Sequence, residues 1–204
     1  MTSPRLQTRS GQAYDLLNPD PSTIILDDVA HALAHLARYT GHASGLYTVA
    51  QHSVLGARVL RHEGHSDGVQ RAFLLHDAHE CVTGDVASPI KRAIAVLFEE
   101  TIFAAVPRKR WMIEPSDPWT RFEERHRCAF ARRFSAPRDL PKSVKDMDLR
   151  MLMTEARDLM VDPPQPWGVP ADPIEPSTLR ITRCWSPREA KGEFLEECGR
   201  LGVV

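Results

Sequence analysis

The stretch Ala72-Phe73-Leu74-Leu75-His76-Asp77-Ala78-His79-Glu80 joins an apolar run to a cluster of ionisable side chains. The apolar residues predict a buried helix that reaches the interior of the fold. Neighbouring residues on an α-helix differ by about 100° around its axis. His76 and Asp77 can therefore reach one metal ion only if the end of this helix lies directly against the site. The rest of the chain has to supply the other ligands.

Length, composition and charge predict a single soluble domain. The 204 residues carry a net charge of −1, and 42% of them are hydrophobic, which is ordinary for a globular protein. A net charge near zero argues against sequence-independent electrostatic binding to a nucleic-acid polymer or an anionic membrane. No apolar run has the length of a membrane span, and residues 1–26 lack the order of a signal peptide. Four scattered cysteines without a CxxC motif predict reduced thiols in a cytoplasmic protein.

Helical periodicity predicts an all-α bundle with a short N-terminal arm or hairpin over Leu6–Thr23. Residues with the form of helix N-caps are Asp27, Thr48 (with Gln51 in a capping box), Asp67, Ser88 and Ser186. The predicted helices span about 27–38, 48–61, 67–83, 88–105, 119–134, 143–160 and 186–201, with a loop over 107–118 and a proline-rich strap over 161–176. The helix from Asp67 is expected to carry His76 and Asp77. We treat residues 1–204 as one domain with a core of about 27–160.

Two more residues have the type and the position of metal ligands. A divalent ion in an enzyme usually takes three or four nitrogen and oxygen ligands and keeps an open position. His52 shares a helix face with apolar residues and is therefore expected to point inward. Asp148 shares the apolar face of a later helix, whereas Asp146 is surrounded by polar residues. His52 and Asp148 are accordingly the best candidates to complete the set begun by the His-Asp pair.

Four consecutive blocks in this order resemble the HD-domain metal-dependent phosphohydrolase superfamily. The blocks are Tyr47–Ser53, Leu74–Glu80, Gly84–Lys91 and Asp148–Leu152. They are most similar to the branch of bacterial 5′-deoxynucleotidases and small phage and bacterial deoxynucleoside triphosphate hydrolases. The resemblance covers about 6–160 and extends weakly to the final helix. A single HD dipeptide is a weak signal, but four blocks in order are specific.

The resemblance implies a role for each matching residue. The metal ligands would be His52, His76, Asp77 and Asp148; Glu80 would be catalytic, with Asp85 as a second acidic residue; Arg38 and Lys91 would contact the substrate phosphate. Lys145, His42 and His79 are further substrate-binding candidates. Mixed nitrogen and oxygen ligation suits Mn²⁺, Co²⁺, Zn²⁺, Fe²⁺ or Ni²⁺ better than Mg²⁺ or Ca²⁺. Thr40 stands close to where relatives carry an apolar or aromatic residue, so base preference does not carry over.

The implied activity is hydrolysis of deoxynucleotides by a metal-activated water that attacks the α-phosphorus. The motifs do not separate a 5′-deoxynucleotidase from a deoxynucleoside triphosphate hydrolase, and the compact chain slightly favours the latter. An enzyme of a different class, a phosphodiesterase acting on cyclic or linear dinucleotides, is one alternative, and a nucleotide-binding regulator without turnover is another. The apolar run Ile94–Phe98 and the resemblance indicate a homo-oligomer.

Two further patterns have simpler explanations. His31, His35, Arg38 and His42 form one stripe if their helix is continuous, which suggests a second metal site. No carboxylate completes that site, so we expect Arg38 and His42 to face the substrate while the first two histidines pack or are solvated. The basic run 108–110 is expected to be a solvated loop.

Overall fold

The computed structural model describes residues 3–105 and 118–204, and helices dominate this part of the chain. The elements are β1 (Arg5–Gln7), β2 (Ala13–Asp15), α1 (Leu26–His35), α2 (Val49–His62), α3 (Asp67–Leu74), α4 (Glu80–Thr83), α5 (Ser88–Ala105), α6 (Pro118–Arg133), α7 (Lys142–Leu159) and α8 (Pro187–Arg200). The predicted all-α fold with an N-terminal hairpin is confirmed. Of the predicted loop over 107–118, residues 107–117, which include the basic run 108–110, lie outside the described residues, and Pro118 begins α6. Within 3–105 and 118–204, no helix combines the length and apolar character needed to cross a membrane.

The hairpin formed by antiparallel β1 and β2 is fastened to α1. Thr8 and Ser10, in its loop, donate hydroxyl hydrogen bonds of 2.6 Å to the Asp28 carboxylate. The prediction that Asp27 is the N-cap of α1 is wrong, because α1 begins at Leu26 and Ile25 occupies the cap position. Both acidic residues lie in the first turn, where negative charge stabilises the helix, and one of them is used to hold the hairpin.

Helix α2 packs against α1, α3, α7 and α8. Thr48 is its N-cap as predicted, because its side chain accepts the Gln51 backbone N–H at 3.2 Å. The second half of the predicted capping box does not form. The Gln51 amide instead donates to the Arg183 carbonyl at 3.0 Å and accepts from the Trp185 N–H at 2.8 Å. The Gln51 side chain thus ties α2 to the segment before α8. Ser186 is the N-cap of α8, as predicted.

The helix that was expected to carry His76 and Asp77 ends just before them. Helix α3 stops at Leu74, residues 75–79 form turns, and the short α4 follows. In a continuous helix the Phe73 carbonyl would accept the Asp77 N–H. Here it accepts from the backbone and the ring of His76. This competition ends the helix and leaves the His-Asp pair on a turn.

The chain beyond α7 crosses the surface without regular structure before α8. Residues 161–176 form the predicted strap, which is largely exposed. Trp167 in the strap lies 6.2 Å from the ring of Tyr39, measured between centroids. The strap therefore contacts the turn that follows α1, which also carries Arg38.

Candidate metal centre

Two buried histidines from separate elements point the same ring nitrogen into one space. His52, on α2, has its Nδ1 2.6 Å from Glu155 Oε1, and His76 has its Nδ1 2.6 Å from the Phe73 carbonyl oxygen. A carbonyl oxygen and an ionised carboxylate only accept hydrogen bonds, so both Nδ1 atoms carry the proton. The Nε2 atoms of both rings are buried without a hydrogen-bond partner. Each ring therefore directs Nε2 into the shared space, where this atom can bind a proton or a metal ion.

Two carboxylates surround these Nε2 atoms. Asp148 Oδ1, from α7, lies 3.4 Å from His52 Nε2 and 3.6 Å from His76 Nε2. Asp77 Oδ2 lies 3.1 Å and 4.0 Å from Nε2 of His76 and His52, respectively. Asp146 is exposed and paired with Lys142. The four predicted ligands are thus brought together, and the alternative aspartate lies apart from them.

The charges in this cluster favour a cation. Burial alone lowers the pKa of His76, yet Asp77 and Asp148 raise it well above its ordinary value. Burial alone raises the pKa of both carboxyl groups, but the two imidazoles hold these pKa values below the usual range. A positive charge between the four side chains is therefore stabilised, and either a proton or a divalent ion supplies it.

Glu80 and Asp85 lie next to this cluster, and the pKa values of their carboxyl groups shift in the opposite direction from those of Asp77 and Asp148. Glu80 begins α4, its side chain is buried, and its Oε2 has no hydrogen-bond partner. Burial and the charges of Asp77 and Asp85 raise the pKa of Glu80 well above its ordinary value. Burial also raises the pKa of Asp85, although Arg38 opposes the shift. A carboxyl group that keeps its proton near neutral pH can act as a general acid.

Arg38 reaches the centre because α1 ends earlier than predicted. The helix stops at His35, and the chain then makes a tight turn in which Tyr39 and Thr40 have φ angles of 56° and 54°. Arg38 Nε donates to Glu155 Oε2 at 3.2 Å, and its Nη1 lies 3.7 Å from Asp77 Oδ2. The early end of the helix thus turns a buried guanidinium towards the candidate metal ligands.

The stripe of histidines before Arg38 does not form a second site. The rings of His31 and His35 lie against each other at a tilt of 39°, with centroids 4.1 Å apart, and His31 Nδ1 lies 2.9 Å from an Arg9 guanidinium nitrogen. His42 follows the tight turn and is exposed. The interruption of the helix separates these residues from Arg38.

The other substrate-binding candidates are placed less favourably. Lys91, on α5, pairs with Glu123 of α6 at 2.7 Å, and Lys145 is exposed on α7. His79 is buried, and its Nδ1 has no hydrogen-bond partner. Burial lowers the pKa of His79, so the ring is neutral near pH 7. Arg38 is therefore the predicted phosphate contact that lies directly against the centre.

Glu155 belongs to the site but was not among the residues predicted from the sequence. Its side chain is fully buried and accepts hydrogen bonds from four residues, which are His52, Arg38, Tyr39 and Tyr47. Glu155 follows Asp148 by seven residues, or about two helical turns. That spacing places both carboxylates on one face of α7, and it is the signal that would have identified Glu155.

No protein-family model matches the chain. The uncharacterized protein YfdR of Escherichia coli (strain K12) is 30% identical over 201 residues, which cover 98% of this chain and 96% of the relative. The chain belongs to the same family as YfdR. An uncharacterized protein of Rhodobacter capsulatus is 40% identical over 104 residues, or 48% of this chain and 53% of that relative. The match to YfdR is long enough to include every element of the candidate centre.

Three residues of this member of the YfdR family form a group that could hold a metal ion. One ligand atom each from His52, His76 and Asp148 lie within 4.8 Å of one another. Ligand atoms about 2.1 Å from a tetrahedral ion lie roughly 3.4 Å apart, which is close to the distances of 3.4 Å and 3.6 Å from Asp148 Oδ1 to Nε2 of His52 and His76. The buried Nε2 atoms without partners are the strongest sign of fit, because buried polar atoms are normally paired.

Proposed function

We propose that this protein is a divalent-metal-dependent phosphohydrolase of the HD-domain superfamily that acts on deoxynucleotides. The observation that carries the proposal is the pair of buried imidazoles whose Nδ1 atoms are held by acceptors. Such a hydrogen bond fixes the tautomer and leaves Nε2 for a metal. His52, His76, Asp77 and Asp148 would hold the ion. When bound, it would supply charge for the phosphoryl oxygens and an activated water.

The remaining groups match the needs of phosphate ester hydrolysis. Arg38 would bind a phosphoryl oxygen through the guanidinium edge that is not held by Glu155, since Nη1 already faces the centre. Glu80, with its raised pKa, would donate a proton to the leaving oxygen of the sugar. In this proposal, the turn after α1 would supply a phosphate-binding group and the start of α4 would supply an acid at the same metal centre.

The placement of cations favours a nucleoside monophosphate over a triphosphate. A triphosphate carries three charged groups and is usually held by several cations. In the described chain, Arg38 lies against the centre, whereas Lys91 is paired with Glu123 and Lys145 is exposed. Removal of the 5′-phosphate from a deoxynucleotide is therefore the reaction we favour within the proposal.

The test is hydrolysis by the purified, chelator-treated protein. The protein is supplied with Mn²⁺ or Co²⁺ and a panel of dNMPs and dNTPs, and release of phosphate or triphosphate is measured. We expect phosphate release from dNMPs only after metal is added. Triphosphate release from dNTPs would favour the triphosphohydrolase, and no release from any substrate would contradict the proposal.

Exposed apolar residues on α5 support a homo-oligomer as part of the proposal. Ile90, Val96 and Leu97 are 42%, 54% and 61% exposed, respectively. A cluster of exposed apolar side chains on one helix is typical of a contact between protein chains when the side chains form one patch. Sedimentation of the wild type and of Leu97→Glu tests this point, because a dimer formed through α5 should dissociate in the variant.

A further inference from the structure

Glu155 places one carboxylate at the junction between the metal centre and Arg38. Its Oε1 accepts from His52 Nδ1 at 2.6 Å and from the Tyr47 hydroxyl at 2.9 Å. Its Oε2 accepts from the Tyr39 hydroxyl at 2.6 Å and from Arg38 Nε at 3.2 Å. One oxygen therefore faces the candidate metal ligand, and the other faces the candidate phosphate ligand.

The four hydrogen bonds of Glu155 restrict the orientation of its carboxylate. A carboxylate offers about four lone pairs, and four donors occupy them here. The side chain is fully buried, and a buried, satisfied network of charged hydrogen bonds fixes geometry more strongly than a solvated one. Rotation of the carboxylate would break contacts on both sides, so His52 and Arg38 are held in one mutual orientation.

We propose that Glu155 is a positioning residue whose two oxygens have separate tasks. Oε1 fixes the tautomer and the ring angle of His52 for the metal. Oε2 aims Arg38 at the phosphate of the substrate. Because the task of Oε2 requires a phosphate ester, that half rests on the proposed function, whereas the task of Oε1 depends only on metal binding.

Tyr39 makes the two tasks experimentally separable. Its ring lies 5.6 Å from the Arg38 guanidinium carbon and contacts Trp167. Tyr39→Phe keeps this ring and removes only the hydroxyl that donates to Oε2. The contact between Oε1 and His52 is left in place. Glu155→Gln, in contrast, disturbs both sides, because an amide carries one acceptor oxygen and one donor nitrogen.

Metal affinity is measured first, without substrate, by titrating the metal-free protein with Co²⁺ and following its visible absorption. We expect Glu155→Gln to weaken Co²⁺ binding about 10–100-fold, as for other residues that orient a ligand. Glu197→Gln is the matched control, since Glu197 of α8 is also buried but accepts hydrogen bonds from Arg58 of α2 and Arg200 of α8. Its Co²⁺ affinity should equal that of the wild type. A folded Glu155→Gln protein with wild-type affinity would overturn the role of Oε1.

Hydrolysis of a dNMP then tests the role of Oε2. Tyr39→Phe should raise KM several-fold, keep kcat near the wild-type value and leave Co²⁺ affinity unchanged. A loss of Co²⁺ affinity as large as that of Glu155→Gln, or an unchanged KM, would overturn the separation of tasks. A wild type that binds Co²⁺ but hydrolyses no nucleotide would contradict the proposed function and leave the Oε1 result standing.

A measurement on the wild type covers the case in which Glu155→Gln does not fold. Long-range ¹H–¹⁵N spectra of the Zn²⁺-loaded protein report the tautomer of each histidine. We expect His52 to carry its proton on Nδ1. Protonation on Nε2 in the loaded protein would overturn the proposal without any variant.

Discussion

The Phe73 ring lies where a side chain on Gly56 would begin. A Cβ atom on Gly56 would be 2.1 Å from Phe73 Cε1, far inside van der Waals contact. The same ring packs against both histidines of the centre, with centroids 5.5 Å from His52 and 4.6 Å from His76. The absence of a side chain at Gly56 therefore allows α2 and α3 to pack closely. This packing in turn sets the distance between the two imidazoles.

Gly56→Ala should destabilise the fold and weaken metal binding together. The added methyl group forces Phe73 away from α2, and overpacking of this kind costs about 1–3 kcal/mol. Because the Phe73 carbonyl holds the ring of His76, the Co²⁺ affinity should fall as well. Urea unfolding and Co²⁺ titration measure the two effects.

Gly192→Ala is a control that should change the free energy of unfolding in the opposite direction. Gly192 lies inside α8, and a Cβ there meets no atom within 4 Å. Alanine in a helix interior is about 0.5–1 kcal/mol more stable than glycine. We expect a higher urea midpoint and unchanged Co²⁺ affinity. Equal behaviour of the two variants would show that close packing at Gly56 does not matter.

Asp148→Asn and Asp146→Asn form a matched pair on one helix. Asp148 lies 3.4 Å from His52 Nε2, whereas Asp146 is exposed and paired with Lys142. Asp148→Asn should lose at least the 10–100-fold in metal affinity that is typical for residues supporting a ligand. Asp146→Asn should stay within about twofold of the wild type, since it changes only the surface. Calorimetric titration with Mn²⁺ or Co²⁺ distinguishes them, and similar losses in both would contradict the assignment.

Metal removal should lower the thermal stability of the protein. A ligand that binds only the folded state stabilises it by about 2.7 kcal/mol at a concentration 100 times its Kd. The ion would also offset the repulsion between the charges of Asp77 and Asp148, which both lie beside the two imidazoles. We expect Tm to fall with EDTA and to recover with Co²⁺. A variant with His76→Ala and Asp77→Ala should show neither change.

His126 should make the fold sensitive to mild acid. It is fully buried and its Nδ1 lies 2.8 Å from the Tyr14 hydroxyl. Burial lowers its pKa to about 4, below the unfolded value of about 6.5. The unfolded chain therefore binds the proton more readily, so this contribution is present above pH 6.5 and is lost as the pH falls towards 4.

Chemical unfolding between pH 7 and pH 4.5 checks this behaviour. His126→Gln removes the titrating ring, so its stability should depend less on pH than that of the wild type over this range. Parallel pH profiles for the two proteins would show that His126 does not contribute.

The sequence predicted those site residues whose position follows from helical periodicity alone. His52 and Asp148 lie on apolar faces of long helices, and that face decided their orientation correctly. The contact between Arg38 and Asp77 was not predictable in the same way. It depends on two non-glycine residues with positive φ. Residues with a Cβ atom rarely adopt this conformation, and no local sequence pattern predicts it here.

The turn at His76 and the position of Glu155 escaped prediction for different reasons. Helix α3 ends because the His76 ring competes for the Phe73 carbonyl, and this contact requires the folded surroundings. Glu155 lies on the apolar face of α7, where a carboxylate is costly unless several donors surround it. Three of its donors, Arg38, Tyr39 and Tyr47, come from the segment between α1 and α2, which is distant in sequence.

That distance has a consequence for how the protein folds. His52 and Glu155 are 103 residues apart in the chain, and contacts between distant residues require the closure of long loops, which slows folding. Partly folded chains that lack the α2–α7 contact cannot orient His52. High-affinity Co²⁺ binding should therefore appear in the last kinetic phase of refolding, after most helical signal has returned. A cation bound only by completely folded chains would report the end of assembly, and chains left without the metal would be less stable and more readily degraded.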